Sequence, residues 1–568
     1  MKVMEVLRGN TGRMLLSTVS GVSSTKAGLI EYFDQEVPAI DMITTKSFQV
    51  VPTAGNPEPI ICEPETGSFG NSVGLRNIGA NAAFAELEKL RRKGLRCLLD
   101  VSLAAKSPED FISLVKTFRP VADLLELNFS CPHAAAGFGA SIGTSAEVAS
   151  AYVRSIRQAI PDLEIPLFVK LTPNVEDIGS IARAVVQAGA DGITAINTVG
   201  PDLYIEPHAH EPILQNQLGG KGGKSGRWVF DEAVGKIAEI RKAVGPDVPI
   251  IGMGGVDDGQ KAARMMQAGA NIVGLGSALA MVNQRQWPEY LSLVKREAQE
   301  ILDGNLPERS ARSFLRREDR MAYKPYRVVK REQYGEDIVI LTCDHKLDSQ
   351  AGEFVFLWLP GVGEKPFSVA GTDPLSFIIK KRGKVTKEIF NLQEGDEVMV
   401  RGLYGAPVAV KHAKRALVIA GGTGVAVLPM LVRRLKDEGT EVTMLVGTSV
   451  SVEGPALLEK ELSPYGPFTC VADDGKPGRV LDLLDSMTID GKTAVYLIGP
   501  EVFMSIACKL LLRKGASEEM ISLSMERMTR CGVGLCGECV CGHRLACQWG
   551  TFMDYSYLKA NAPSLLRL

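Results

Sequence analysis

Residues 249–280 read PIIGMGGVDDGQKAARMMQAGANIVGLGSALA. Two short apolar strands stand out, Pro249–Gly252 and Ile272–Gly276, and both run into glycine. The first ends in Gly252-Met253-Gly254-Gly255 and the second in Gly274-Leu275-Gly276-Ser277. Glycines at such a turn expose backbone amides to an anion, and in a parallel eight-stranded barrel this is where phosphate binds, after strands seven and eight. Either motif alone could be only a tight turn; two in register weaken that reading. Gly222-Gly223-Lys224-Ser225-Gly226 is a fainter version of the same pattern, read as a loop after the sixth strand. A phosphate held there suits FMN.

Upstream, the same alternation of buried strand and amphipathic helix repeats. The remaining strand candidates are Met14–Ser20, Ile40–Thr45, Arg96–Val101, Leu124–Phe129, Leu167–Leu171 and Gly192–Asn197. Helical patterns cover Pro108–Thr117, Ser145–Ala159, Asp177–Ala188 and Glu232–Ala243. The expected fold of residues 1–305 is therefore an α/β (β/α)8 barrel, with its site at the strand C-terminal ends. Chemistry-bearing side chains fall at those ends: Asn71, Asn128 and Asn197 after three strands, Lys46 and Lys170 after two more, and Cys131 where Pro132 stops the fourth. Asparagines offer paired donors and acceptors suited to an imide edge, and lysines hold phosphate or offset developing negative charge. A lone cysteine in such a place is more often a small packed hydrophobe; the company it keeps favours a role.

At 568 residues, the chain is too long for one core. With 45% apolar and 23% charged residues and a formal net charge of −2, the composition is that of a soluble globular protein. It gives no sign of nucleic-acid or anionic-membrane binding. Scattered cysteines fit a reducing cytoplasm, and MKVMEVLRGNTGRMLL lacks the apolar core of a secretory signal. Ala416–Val432 is uncharged, but glycines and Pro429 cut it, so no membrane span is expected. Polar residues from Asp303 to Arg320 read as a linker (assigned to 306–322) or an exposed helix, compatible with a final barrel helix.

From about Tyr323 the pattern changes to short β-rich segments: Tyr326–Lys330, Ile338–Cys343, Glu353–Leu359, Leu375–Lys380 and Glu397–Arg401. A small antiparallel barrel is expected over 323–412. Strand Ala416–Ile419 then enters Gly421-Gly422-Thr423-Gly424 and a helix, a unit that suits a dinucleotide. Strands Glu441–Val446 and Ala494–Ile498, the latter before Gly499-Pro500, complete a doubly wound domain over 413–522. Residues 530–548, RCGVGLCGECVCGHRLACQ, hold five of the eleven cysteines. Cys531, Cys536 and Cys539 have the C-x4-C-x2-C spacing of a [2Fe–2S] site; a zinc knuckle and a disulfide pair are the alternatives. Cys541 stands too close to Cys539 to reach a second iron, so Cys547 is the expected fourth ligand. The cluster domain is assigned to 523–568.

TTKS at Thr44–Ser47, GNSVGLRN at Gly70–Asn77, ELNFSCPH at Glu126–His133, VKLTPN at Val169–Asn174, INTVG at Ile196–Gly200 and GMGGV at Gly252–Val256 together resemble dihydroorotate dehydrogenase. The resemblance implies dihydroorotate held by Lys46, Asn71, Ser72, Val73, Gly74, Leu75, Asn128, Asn197 and Thr198. It implies FMN held by Ser20, Gly21, Lys46, Lys170, Gly226, Gly254, Gly255, Gly276 and Ser277, with Lys170 at the pyrimidine end of the flavin. Cys131 would take the C5 proton as hydride leaves C6, with a rate rising through mildly alkaline pH. The membrane-linked branch has serine there, so cysteine points to the soluble branch. Relatives pair through the barrel, which makes a homodimer the expectation. His133 replaces the family's usual asparagine and matches dihydropyrimidine dehydrogenases, so uracil or thymine reduction with NADH is the runner-up. The Asn71–Leu75 loop, which resembles the orotate carboxylate site, speaks against it.

The second half resembles the ferredoxin reductase-like electron-transfer subunit of NAD-linked dihydroorotate dehydrogenases, here fused to the catalytic part. The likeness implies FAD at Lys365, Pro366, Phe367, Ser368, Gly383, Lys384, Val385 and Thr386, and NAD at Gly421, Gly422, Thr423, Gly424, Gly499 and Pro500. Lys365 and Phe367 replace the family's arginine and tyrosine, and lysine is the poorer bidentate phosphate ligand. Thr448–Glu453 offers no basic residue for a 2′-phosphate, favouring NAD over NADP. The expected route is dihydroorotate to FMN, [2Fe–2S], FAD and NAD+. A third reading is an electron-transfer module serving another protein.

Overall fold

In the computed structural model, which describes residues 3–8, 12–24, 26–129, 142–449, 455–473 and 479–566, the chain forms two compact units. One comprises Met1–Asp319 with Val533–Gly537, the other Arg320–Gly532 with Glu538–Leu568. No helix among the described residues is long and apolar enough to cross a membrane.

Eight parallel strands close the barrel of the first unit: Leu16–Thr18, Ile40–Thr44, Leu98–Leu103, Leu124–Asn128, Leu167–Lys170, Gly192–Ala195, Ile250–Met253 and Ile272–Leu275. Every strand pairs with the next in chain order, and the eighth with the first. Helices are started by side chains that satisfy orphan amides: Ser107 accepts from the Asp110 amide, Ser145 from Val148, Asp177 from Ser180 and Asp258 from Lys261. The expected strands and helices are thus present, with ends displaced by a few residues.

Strand residues two apart share a face, so Leu98, Asp100 and Ser102 point one way, as do Leu124, Glu126 and Asn128. Met42, Leu124, Phe168 and Ile272 join Leu7 and Leu15 in an apolar cluster against which Leu98 packs. Two residues further along the same strands the side chains are Thr44, Asp100 and Glu126, all fully buried. Such barrels are ordinarily filled by branched apolar residues; a polar layer here separates the apolar floor from the strand ends.

In the first unit two sequence expectations are corrected. Gly222–Gly226 is not a loop but part of strand Lys221–Gly226, in an antiparallel sheet with Ile61–Glu65, Ser68–Asn71 and Val199–Leu203. Its glycines permit close strand approach: a Cβ on Gly222 would lie 2.3 Å from Leu214 Cδ1, and one on Gly226 2.2 Å from the Gly67 carbonyl oxygen. The polar stretch after helix Trp287–Leu302 is not an exposed linker throughout. Ala311 is buried and its amide donates to Glu297 at 2.9 Å, while Arg316 reaches the buried Glu63 carboxylate at 2.5 Å.

The second unit contains a seven-stranded antiparallel sheet running from Gly363–Ser368 at one edge to Gly371–Thr372 at the other. The expected antiparallel barrel is therefore an open sheet, its edge strands separated in sequence only by Val369 and Ala370 and not paired to each other. Val328, Leu341, Val355, Leu357, Phe377 and Val400 fill its core. Lys384–Phe390 is a helix, so the glycine turn at Gly383 is its N-terminal cap. A six-stranded sheet follows, its five parallel strands ordered Phe468–Ala472, Glu441–Thr448, Arg415–Gly421, Ala494–Ile498 and Ile521–Ser524, with Phe552–Asp554 antiparallel at the edge. The glycine loop Gly421–Gly424 does not pass straight into the expected helix: residues 422–427 form a 3-10 turn before helix Leu428–Asp437.

Candidate functional site

At the C-terminal ends of the barrel strands the structure brings most of the sequence-predicted residues together. Lys46 follows the second strand and is nearly buried; its stem crosses Gly21, where a Cβ would lie 2.9 Å from Nζ. Gly21 has φ +83°, the left-handed region that suits glycine. Behind it runs a chain of polar contacts. Ser20 Oγ lies 3.0 Å from Ser47 Oγ, and Ser47 Oγ lies 2.9 Å from Ser102 Oγ. Asn128 Nδ2 donates to Ser47 Oγ at 3.0 Å, and Ser102 Oγ donates to Glu126 Oε1 at 2.8 Å. Lys170 Nζ stands 3.7 Å from the same Glu126 oxygen.

Beneath Ser102 lies Asp100, fully buried. Among the described residues neither of its carboxyl oxygens has a partner in hydrogen-bond geometry, and Glu126 Oε2 has none either. Burial and the neighbouring Glu126 carboxylate raise the Asp100 carboxyl well above the usual carboxylate range; the adjacent Thr44 hydroxyl and Lys170 pull the other way. Thr44 lies beside the acid without hydrogen-bond alignment.

The glycines of the predicted phosphate site adjoin one another. Gly254 and Gly255 have φ +131° and +71°. A Cβ on Gly255 would lie 2.5 Å from the Gly226 carbonyl oxygen, and one on Gly254 2.6 Å from Ala233 Cβ. Gly276 precedes Ser277 at the start of a short 3-10 turn, where a Cβ would meet Val19 at 2.6 Å. There is no room for side chains at these glycines, which fits a flavin phosphate held by their amides.

The Asn71–Leu75 loop is held from two sides. Ser72 is buried, its amide donates to the Ile60 carbonyl at 2.8 Å, and its hydroxyl accepts from Asn56 at 2.8 Å and Asn216 at 2.6 Å. Asn71 Nδ2 donates to the Gly223 carbonyl at 3.2 Å. Val73 accepts the Asn56 amide, Gly74 has φ +72°, and Leu75 φ +51°. Asn197 Oδ1 accepts the Thr198 amide at 2.8 Å. Cys131 and His133 lie outside the described residues, as does most of Thr448–Glu453.

In the second unit, Lys365, Pro366, Phe367 and Ser368 line a half-exposed edge strand, with Phe367 packed on the sheet's core. The Thr386 hydroxyl accepts the Arg382 and Gly383 amides, both at 2.9 Å, closing the turn before Lys384 and Val385. Gly421 and Gly499 end adjacent parallel strands, and a Cβ on Gly499 would lie 3.4 Å from the Gly421 amide nitrogen. Strand order reverses between these two strands, the place where open α/β sheets bind ligands. Gly422 has φ +58°, Thr423 follows it, Gly424 packs on Ile498, and Pro500 caps helix Glu501–Arg513.

Cys531, Cys539, Cys541 and Cys547 are buried and Cys536 is half-buried. The Cys547 thiol lies beside those of Cys531 and Cys539. Cys541 sits in a separate hairpin, and burial pushes its thiol up to about 12. Among the described residues no group of three or more His, Cys, Asp or Glu side chains is arranged to hold a metal ion. The donor set is nonetheless one of soft sulfurs, which suits iron–sulfur or zinc.

Sequence reasoning missed the support under this segment. Arg401 is fully buried and pairs with the equally buried Glu364 at 2.6 Å. It also donates to Tyr404 Oη at 2.7 Å and to the Cys531 carbonyl at 3.0 Å. A Cβ on Gly532 would strike the Tyr404 ring at 2.7 Å. An arginine in an apolar strand, and acids in LLDVSL and LLELN, were the available signals.

A closed parallel barrel with lysines, asparagines and a glycine cradle at its strand ends has the form of a (β/α)8 enzyme with its site at the strand C-termini. Residues 15–301 match the family model of dihydroorotate dehydrogenase, and the chain belongs to that family of oxidoreductases. It is 38% identical over 261 residues to the catalytic subunit of dihydroorotate dehydrogenase B (NAD(+)) from Methanocaldococcus jannaschii, covering 45% of this chain and 82% of the relative. The corresponding subunit from Methanothermobacter thermautotrophicus is 39% identical, covering 42% of this chain and 74% of its own. Dihydroorotate dehydrogenase A (fumarate) from Lactobacillus delbrueckii is also similar, 38% identical over 40% of this chain and 71% of its own.

Proposed function

We propose that this chain oxidises dihydroorotate to orotate and passes the electrons to NAD+, within one polypeptide. The single observation that carries the substrate assignment is the convergence of Asn128 and Lys170 on one buried polar row at the strand ends of a family barrel, with Lys46 buried after the second strand. Asn71, Asn128 and Asn197 would hold the imide edge, and the Asn71–Leu75 loop the carboxylate. Lys170 would face the pyrimidine end of FMN, whose phosphate would lie on Gly226, Gly254, Gly255 and Gly276. Cys131, placed by its motif alone, would remove the C5 proton as thiolate. A homodimer through the barrel belongs to the same reading.

For the chain beyond the barrel segment the proposal assigns FAD to 323–412, NAD to 413–522 and a [2Fe–2S] cluster to 523–568. When bound, the flavins supply hydride chemistry and the cluster single-electron transfer between them, in the order FMN, [2Fe–2S], FAD, NAD+. The protein's part is to hold these groups: Thr386 closes the turn beside the edge strand, Gly421 and Gly499 keep the switch point open to a pyrophosphate, and the contact of Cys547 with Cys531 and Cys539 favours it over Cys541 as fourth ligand. Similarity to both NAD(+)-linked and fumarate-linked relatives leaves the acceptor to the six-stranded sheet, whose strand order suits a nicotinamide dinucleotide.

Anaerobic titration of the flavin-loaded chain tests the substrate. Bleaching of the flavin absorbance by dihydroorotate, and not by dihydrouracil, is expected. Bleaching by dihydrouracil alone would replace this reading with that of a pyrimidine reductase.

A further inference from the structure

The polar layer inside the barrel has no part in the chemistry assigned above. Asp100 and Glu126 come from neighbouring strands, point into the same interior, and are both fully inaccessible to solvent. Two carboxylates sharing a dry site cannot both ionise cheaply, and among the described residues both oxygens of Asp100 lack the hydrogen bonds that a buried carboxylate requires. Glu126 is different: Ser102 donates to it, and Lys170 faces it at 3.7 Å.

We propose that Asp100 and Glu126 act as a pair that holds one proton and one negative charge, with the charge on Glu126 as counter-ion to Lys170 and the proton on Asp100. Around Asp100 the other groups are Lys170 and the Thr44 hydroxyl; they and Glu126 are what the acid senses.

Two consequences follow from hydrogen-bond direction. An ionised Glu126 only accepts, so the Ser102 hydroxyl hydrogen is committed to it. Ser102 must then accept from Ser47, which uses the one hydrogen Ser47 has. Ser47 in turn accepts from Ser20 and from Asn128 Nδ2. The single charge on Glu126 therefore sets the sense of the whole row, Ser20 to Ser47 to Ser102 to Glu126. It also turns the Asn128 amide so that its nitrogen faces Ser47 and its oxygen faces away. The same charge faces the buried Lys170 amine at 3.7 Å. Asp100 and Glu126 are positioning residues: they act on substrate and flavin through Asn128 and Lys170, and that function rests on the flavin reading above.

Infrared difference spectra of the purified full-length chain at neutral pH test the pair without turnover. The parent is expected to show the carbonyl stretch of one buried, protonated carboxylic acid in the parent-minus-variant spectra. Asp100→Asn removes that acid. Glu126→Gln also abolishes the band, because the remaining acid becomes the counter-ion of Lys170 and ionises. Lys170→Met strengthens it about two-fold, since neither acid then has a cation to hold its charge. A band that survives in either single-acid variant, or does not change in Lys170→Met, overturns the pair. Should one variant not fold, absence of the band from the parent-minus-variant spectra of the others would itself overturn the proposal. Purified chain that shows the band pattern but binds no flavin would instead locate the failure in the cofactor assignment.

Discussion

Asp100 ties stability to pH in a direction opposite to most surface acids. Its folded carboxyl is raised well above the unfolded value of about 3.9, so the native chain holds a proton that the unfolded chain releases. Stability from this group is full below that value and is lost as pH rises above it, by about 1.4 kcal/mol for each unit up to its folded pKa. Asp100→Asn is expected to flatten the fall in denaturation midpoint from about pH 4 upward, measured by urea unfolding at a series of pH values. An unchanged slope would mean the acid ionises in the folded state. Arg401 is the second telling residue. Removing one member of a fully buried ion pair leaves the other charged and alone, at a cost of about 3–5 kcal/mol. Arg401→Met should therefore lower the unfolding midpoint of the second unit sharply, followed by denaturant titration, and iron content should fall with it because the Cys531 carbonyl loses its donor. Retention of both stability and iron would show the pair to be dispensable.

Among the elements, the glycine turns make the sharpest case. Gly255 sits at φ +71° with the Gly226 carbonyl only 2.5 Å from where a Cβ would go. Gly255→Ala should reduce the FMN-to-protein ratio several-fold, read from absorbance of the purified chain, while barrel secondary structure by circular dichroism persists. Full flavin occupancy would move the phosphate elsewhere. The barrel strands were legible because period-two and apolar runs are local signals. The two glycine runs that proved to be a strand and a 3-10 turn were not, since the partners that decide them are distant: Ser68–Asn71 pairs with Lys221–Gly226 across some 150 residues. For the same reason the row through Ser47, Ser102 and Glu126 escaped notice, though Ser47 and Glu126 both lie in motifs that sequence reading had singled out. Their contact depends on the barrel closing.

At the scale of the whole molecule, the barrel and the doubly wound sheet were readable from sequence, whereas the antiparallel sheet's open order was not; strand spacing says little about whether edges meet. The cysteine motif supplied a spacing, and the fold adds the contact that separates Cys547 from Cys541. What makes the chain more than a flavin barrel is the second unit, with its own sheets, switch point and thiols. The central claim is that oxidation at the barrel and reduction of NAD+ are properties of one polypeptide. The most direct measurement is NADH formation by the purified, cofactor-loaded chain given dihydroorotate and NAD+ under anaerobic conditions, with no other protein added. One NADH for each orotate is the expected result. Orotate produced with fumarate or a dye as acceptor, and no NADH, would contradict it.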